Sequence, residues 1–432
     1  MRARVSRRSR PDAAFPQDIM TEYSPIDPAA RILGMHTIVP YALDNIDVTP
    51  LWTQLVERFQ ADESDAAALV DISTILQSQG QTDQALQVLG SALAVRRTFC
   101  VVHGDGTGPR LLAFVTPGDF MANTPLDFLF EGSNGVLWLH YVDAETTELK
   151  DLPEHDAAFM AIGESNENGS VLARMNELLA DWPGPIMNNK PMLINSLTRD
   201  GVSRMFAQEP TILSPRTLRF PALQLQAVVG GMIKLSDLAQ DMDFPIIVRP
   251  IGTHAGHGME CIWDCAELSV YMSSVPSESY YVAPFIDYRG EDGLFNKQRV
   301  VLIKGKPFAS HMALSDHWMV HYLSAGMATN PEKRAVEARW METFDEDYAV
   351  RHAAAFEALY RHIGLDYFGI DCAELSDGRL LVFELDVAMI VHAMDSAEIY
   401  PYKKVAMQRL FDAFVASITA TRAGHALSLI YI

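Results

Sequence analysis

A chain of 432 residues, 49% hydrophobic and 21% charged, with a mean hydropathy of +0.04, can bury a sizeable core and has room for two to four domains, which excludes a largely disordered polymer. Lys and Arg number 34 against 55 Asp and Glu, a net charge of −21. That balance argues against nonspecific adhesion to nucleic acid or an anionic membrane, because both need a basic surface, and it requires any anionic ligand to be held by a local cationic pocket.

The first 25 residues carry Arg2, Arg4, Arg7, Arg8 and Arg10 with no apolar segment behind them, so they read as a disordered basic tail rather than a signal peptide. No run approaches the roughly 18 apolar residues of a membrane helix. Four cysteines, Cys100, Cys261, Cys265 and Cys372, are too few for a disulfide framework and suit a reducing cytoplasm. Cys261 and Cys265 lack a second pair at zinc spacing, so no zinc site is expected of them.

Residues 26–97 are expected to be helical. Leu69, Ile72 and Leu76, then Gly80, then Ala85, Leu89 and Ala92 place apolar faces on two helices separated by a glycine breaker. This stretch resembles one tetratricopeptide repeat, with Gly80, Ala85 and Ala92 at its small-residue positions. A single copy has no neighbour to stack on, so the expectation is a helical hairpin packed on the main body, where a protein partner or a second copy could dock.

Residues 98–190 switch to short apolar runs, at 99–102, 136–139 and 158–162, with a helix-like stretch from Leu172 to Leu179. Buried strands alternating with helices predict a small α/β domain with a mostly parallel sheet. In residues 191–418, strands are expected at 244–249, 280–286 and 298–303, with a hairpin across 367–386. Helices are expected at 331–342 and 347–363, the second stopped by Gly364. Mixed hairpins and helices argue α+β, with 419–432 left as a C-terminal tail.

The most informative segment runs from Tyr367 to Asp386. Asp377-Gly378 between apolar runs predicts a two-residue turn, and that register sets Asp371 directly opposite Glu384. Alternation places Asp386 on their face, with Ile370, Cys372, Leu381, Phe383 and Leu385 on the other. Opposed carboxylates repel, and a divalent cation taking only oxygen ligands, Mg²⁺ or Mn²⁺, resolves the conflict; a solvated acidic face is the alternative reading.

A second segment, residues 244–258, runs an apolar strand into Arg249-Pro250 and then a loop holding Gly252, Gly256 and Gly258. Glycines let the backbone approach a ligand, and successive amides can cradle phosphate oxygens beside a cation. It is neither a P-loop nor a dinucleotide fingerprint, and an ordinary mobile turn has the same composition.

In their order these elements resemble the ATP-grasp superfamily, which includes D-alanine:D-alanine ligase, glutathione synthetase and the enzyme that adds glutamate to a ribosomal protein. The likeness covers residues 98–418: the Arg249 strand and glycine loop, a hinge strand at 281–287, a hairpin strand bearing Arg299, and Asp371…Glu384-Leu385-Asp386 in place of the family's Asp…Glu-x-Asn. It implies an α+β ATP-grasp fold preceded by a small α/β domain and the helical hairpin, with ATP and Mg²⁺ (or Mn²⁺) as cofactors. Arg249 and Arg199 would touch the nucleotide phosphates under the Gly256–Gly258 loop. Backbone at Val282, Ala283 and Phe285 would hold adenine with Asp287 near the ribose, Arg299 would stabilise the transferring phosphoryl group, and Asp371, Glu384 and Asp386 would hold the metal.

Arginine stands at 249 and 199 where the family has lysine, and Asp386 stands where it has asparagine. His311, His321 and His392 lie where an acceptor could bind, or are ordinary structural histidines. The resemblance implies an ATP-dependent ligase joining small-molecule or peptide carboxylate and amine substrates. The departures also fit a nucleotide-sensing module without turnover, and a small-molecule kinase is a third reading.

Overall fold

The computed structural model describes residues 23–253 and 256–430. The tail expected at 1–25 lies outside them except for its last three residues, and these are docked: Tyr23 donates to Asp156 Oδ2 at 2.5 Å and lies under the Arg110 guanidinium, while the Ser24 amide donates to Glu154. After a short turn the helical layer comprises Met35–Leu43, Thr49–Ala61, Ala66–Ser78 and Thr82–Val95, four helices rather than two. The last two form the expected hairpin around Gly80, whose φ of 75° is open to glycine. Ala66, Ala67, Ala68, Ala85 and Ala92 are all buried, and their small side chains let the layer close.

The α/β unit follows with β1 (Thr98–Val102), β2 (Arg110–Val115), β3 (Val136–Tyr141), β4 (Ala157–Met160) and β5 (Ile186–Met187). Their order is β1-β3-β2-β4-β5, with only β1 antiparallel. β2 and β4 are buried along their whole length, as unbroken apolar runs require when both faces of a sheet are covered.

The rest of the chain supplies β6 (Ile212–Leu213), β7 (Leu218–Pro221), β8 (Ile246–Pro250), β9 (Glu260–Ile262), β10 (Ser279–Pro284), β11 (Phe295–Ile303), β12 (Lys306–Ser315), β13 (Tyr367–Glu374) and β14 (Leu380–Asp386). They form an antiparallel sheet in the order β7-β10-β8-β9 and a five-stranded sheet in the order β12-β11-β13-β14-β6. The helix expected at 331–342 is Pro331–Glu342. That expected at 347–363 is broken at His352 into Tyr348–Arg351 and Ala353–Ile363, and it closes on Gly364 at φ 55°.

Two expectations of domain structure change. Residues 419–430, expected as part of a tail over 419–432, continue the helix Lys403–Ile430, and residues 431–432 lie outside the described residues. The boundary at 190 runs through a shared core: Phe414 of that helix packs its ring against Phe130 and Phe159 on one side and Tyr367 on the other. Asn188, fully buried, exchanges two hydrogen bonds with the Tyr367 backbone at 2.8 and 2.9 Å, so its amide is satisfied across the junction.

Candidate functional site

Two rows of side chains, one from each C-terminal sheet, define the site. In an antiparallel pair, directly opposed residues share a face. Across β7, β10 and β8 the opposed residues are Arg219, Tyr281 and Arg249. Their neighbours Phe220, Tyr280, Val282 and Val248 fill the apolar core on the other face. The second row crosses β12, β11, β13 and β14 as His311, Arg299, Asp371 and Glu384.

Asp371 and Glu384 are opposed as expected, by a route the sequence did not show. From Glu374↔Leu380 to Cys372↔Val382 the register differs by one from that at Asp371↔Glu384. The chain reverses through 375–379, where the Leu375 amide donates to Arg379 O, and a bulge at Phe383 restores the pairing. The bulge turns Leu381 and Phe383 away from Ile370, Cys372 and Leu385, with which they were expected to share a core, into a separate cluster with Phe295 and Tyr288.

The rows are joined by Arg199, at the start of the short helix Arg199–Met205. Its Nη1 and Nη2 both lie 2.9 Å from Glu384 Oε1, and burial, which opposes its charge, is outweighed by that carboxylate and by Asp386. Arg249, 6% exposed, forms no ion pair with a carboxylate among the described residues. Its Nη2 donates to Thr253 Oγ1 at 3.1 Å and to the Thr253 carbonyl. Burial and the neighbouring Arg199 push its pKa down to about 10, against the opposing pull of Glu384.

Asp371 is committed to cations. Arg299 Nε and Nη2 donate to its two oxygens at 2.7 and 3.1 Å, and Lys297 Nζ donates at 2.9 Å. Although the carboxylate is buried, Arg299 and Lys297 hold it well below the usual carboxylate range. Arg299 Nη1 also donates to Ile390 O at 2.9 Å, so its plane is fixed at three points. The repulsion between opposed acids is therefore relieved by the chain's own cations, Asp371 by Arg299 and Lys297 and Glu384 by Arg199. Asp386 accepts from the Ala388 amide at 2.9 Å. The three acids share a strand pair but do not bring their oxygens within 4.8 Å of one another; among the described residues, only His36, His103 and Asp127 gather that closely.

Gly256 and Gly258 have φ of 73° and 64°. A Cβ on Gly258 would lie 3.0 Å from the Pro250 ring, and one on Gly256 would lie 3.3 Å from Met319 Sδ; His254 and Ala255 lie outside the described residues. The Val282 side chain points into the core, leaving only backbone for a ligand, while Ala283 is partly exposed. Phe285 sits between Trp263 and Trp318, with ring centroids 6.0 and 6.1 Å away, an aromatic wall beside the glycine loop. Asp287 is exposed and paired with Arg289.

His311 lies beside Arg299 in the row with its ring tilted against Tyr322 at 4.8 Å, and burial drives its pKa well down. His321 and His392 are lowered too, first by burial, and both feel Arg299. The three histidines thus border one end of the row, where burial favours their neutral forms.

Sequence reasoning missed several residues. Glu164, in the loop after β4, has its pKa raised to about 7 by burial and by Asp386. Lys403, Glu337 and Asp395 form a buried charged cluster beyond His311. Lys403 Nζ donates to Asp395 at 2.8 Å and lies over the Tyr322 and Tyr400 rings at 4.0 and 4.5 Å. Glu337, fully buried, accepts from the Met312 amide at 2.9 Å and from Tyr402 at 2.6 Å.

No family model matches the chain, and no curated protein does. Among solved structures, the chain is similar to a D-alanine–D-alanine ligase from Bacillus anthracis complexed with ATP, at 12% identity and a TM-score of 0.42, covering 73% of this chain and 99% of that one. It is similar to a RimK domain ATP-grasp protein from Sphaerobacter thermophilus at 14% identity and a TM-score of 0.38, covering 71% and 99%. It is also similar to the VanG D-Ala:D-Ser ligase from Enterococcus faecalis at 11% identity and a TM-score of 0.43, covering 72% and 99%.

Proposed function

We propose that the protein is an ATP-grasp ligase that phosphorylates a carboxylate with ATP and transfers the acyl group to an amine or similar nucleophile. One observation carries this reading. Arg249, a buried guanidinium with no ion-paired carboxylate among the described residues, faces the Arg199–Glu384 pair across the gap between two sheets, under a loop of left-handed glycines. In a chain of net charge −21, such a pocket is costly unless an anion fills it.

Arg199 and Arg249 bind the phosphates. Arginine keeps a lysine's charge and can grip two oxygens, so its presence at both positions is compatible with nucleotide. Phe285, Trp263 and the Val282–Ala283 backbone form the wall for adenine. Glu384 and Asp386 offer the oxygen-only donors that would hold Mg²⁺, which would supply charge neutralisation for the phosphates. Asp371, expected as a third metal ligand, instead aims Arg299 and Lys297, because each of its oxygens is already bonded.

Arg299, held flat by Asp371 and Ile390 O, is pre-oriented to stabilise charge on the phosphoryl group in flight without reorganising at the moment of reaction. The carboxylate substrate attacks the γ-phosphorus and ADP leaves. The nucleophile then adds to the acyl phosphate and expels inorganic phosphate. His311 and His392 border the side from which it would approach.

The test is phosphate release from ATP across pools of amino acids and short peptides, repeated with the productive carboxylate labelled with ¹⁸O. Transfer of one label into the released phosphate supports the acyl-phosphate route. A phosphorylated product with no new amide would favour the kinase reading, and saturable ATP binding without turnover in any pool would favour the sensor.

A further inference from the structure

A second cluster lies where the helical layer meets the α/β unit. His36 belongs to the helix Met35–Leu43, His103 follows β1, and Asp127 lies on the short helix Leu126–Leu129. His36 Nδ1 is 3.0 Å and His103 Nε2 is 2.9 Å from Asp127 Oδ1, and the two imidazoles lie against each other, tilted by 38°, with centroids 4.4 Å apart. We propose that His36, His103 and Asp127 form a zinc site that staples these three segments together.

Four observations support it. The three donor atoms lie within 4.8 Å of one another, and the two measured separations approach the edge of about 3.3 Å that bonds of about 2.0 Å impose on a tetrahedron. Two imidazoles and one carboxylate make a borderline donor set suited to Zn²⁺ rather than to the hard cations of an all-oxygen site. A ligand histidine normally has its other ring nitrogen bonded, and His36 Nε2 lies 3.2 Å from the Thr37 hydroxyl. The surroundings are built for close approach: Asp127 also accepts from the His36 amide at 2.8 Å, and Gly34, at φ 84°, leaves space where a Cβ would stand 2.6 Å from Asp127 Oδ2.

Access and isolation fit as well. The His103 and Asp127 side chains are 4% and 6% exposed, whereas that of His36 is 29% exposed, so the cluster meets solvent on the His36 side. Phe130 packs on His103 and screens the other side. Phe128, next to Asp127, stacks edge-on to His392, so the staple also braces the chain that leads to the nucleotide pocket. The three residues come from separate segments, which is why no ligand spacing announces them.

The experiment is zinc retention by the full chain after dialysis, with Co²⁺ substitution read by visible absorption. The expected result is one equivalent of zinc per chain and the intense d–d bands of a four-coordinate cobalt site. His36→Gln, at the partly exposed position, should weaken zinc about 100-fold or more while the protein stays folded by circular dichroism. Glu384→Gln should leave zinc binding unchanged, because that carboxylate belongs to the nucleotide pocket. Failure to retain zinc together with a featureless cobalt spectrum overturns the proposal, as does retention that His36→Gln does not alter.

Discussion

Replacing Glu384 by Gln separates two roles that the geometry gives to one carboxylate. Glu384 neutralises Arg199, both of whose terminal nitrogens lie 2.9 Å from Oε1, and it faces the position assigned to the metal. A carboxylate about 5 Å from a phosphate repels it by about 1 kcal/mol in water and about 3 kcal/mol at an effective dielectric of about 20. Because the side chain is 33% exposed, solvent screening places the value near the lower end. ATP measured in EDTA should therefore bind Glu384→Gln roughly tenfold more tightly than the unaltered protein, since the repulsion is gone and Arg199 no longer divides its donors between Glu384 and the phosphates. Turnover in Mg²⁺ should move the other way, falling by about 10²–10³-fold as one metal oxygen and its charge are lost. Calorimetry and phosphate release measure the two arms. Unchanged turnover, or weaker metal-free binding, would refute the assignment of Glu384.

Other perturbations follow from the same contacts. Glu164 has a folded pKa of about 7 against an ordinary 4.5; because the folded state holds the proton more tightly, its contribution to stability is present below about pH 4.5 and is lost as pH rises through 7. Glu164→Gln should flatten the fall in melting temperature between pH 5 and 8, and a mutant curve parallel to the original removes Glu164 as the cause. Lys403→Met strips the cation from beside fully buried Glu337 and should cost about 3–5 kcal/mol in urea unfolding; a loss below about 1 kcal/mol would mean that the tyrosines alone satisfy the carboxylate. Gly258→Ala forces a Cβ to within 3.0 Å of Pro250 at φ 64°, costing about 1–2 kcal/mol. It should weaken ATP more than it lowers the melting temperature, and equal ATP affinity would detach the loop from the nucleotide.

What the sequence disclosed, and what it hid, follows from range. Asp371 and Glu384 could be placed opposite each other because hairpin pairing is local and carboxylates flank a turn signal. The same reasoning misjudged the turn and overlooked the bulge, two errors that cancel at Glu384 but leave Leu381 and Phe383 on the wrong side. Gly364 ended its helix as expected because a left-handed cap is a one-residue event. Glu164, Lys297 and the Lys403–Glu337 cluster were missed because their significance comes from partners far along the chain: Lys297 meets Asp371 74 positions away. The helix Lys403–Ile430 was not anticipated, and 419–432 was taken for a tail, because residues 419–426 carry no buried side chain to mark a core-facing stripe.

Arg199 and Arg249 on one side and Glu384 and Asp386 on the other are assigned to a magnesium-bound triphosphate. Calorimetric titration of Mg·ATP into the full chain should show one saturable site per chain, tighter than about 1 mM, and a clear loss of affinity in Arg249→Met. Absence of saturable heat, or an Arg249→Met protein that binds ATP as well as the original, would contradict it.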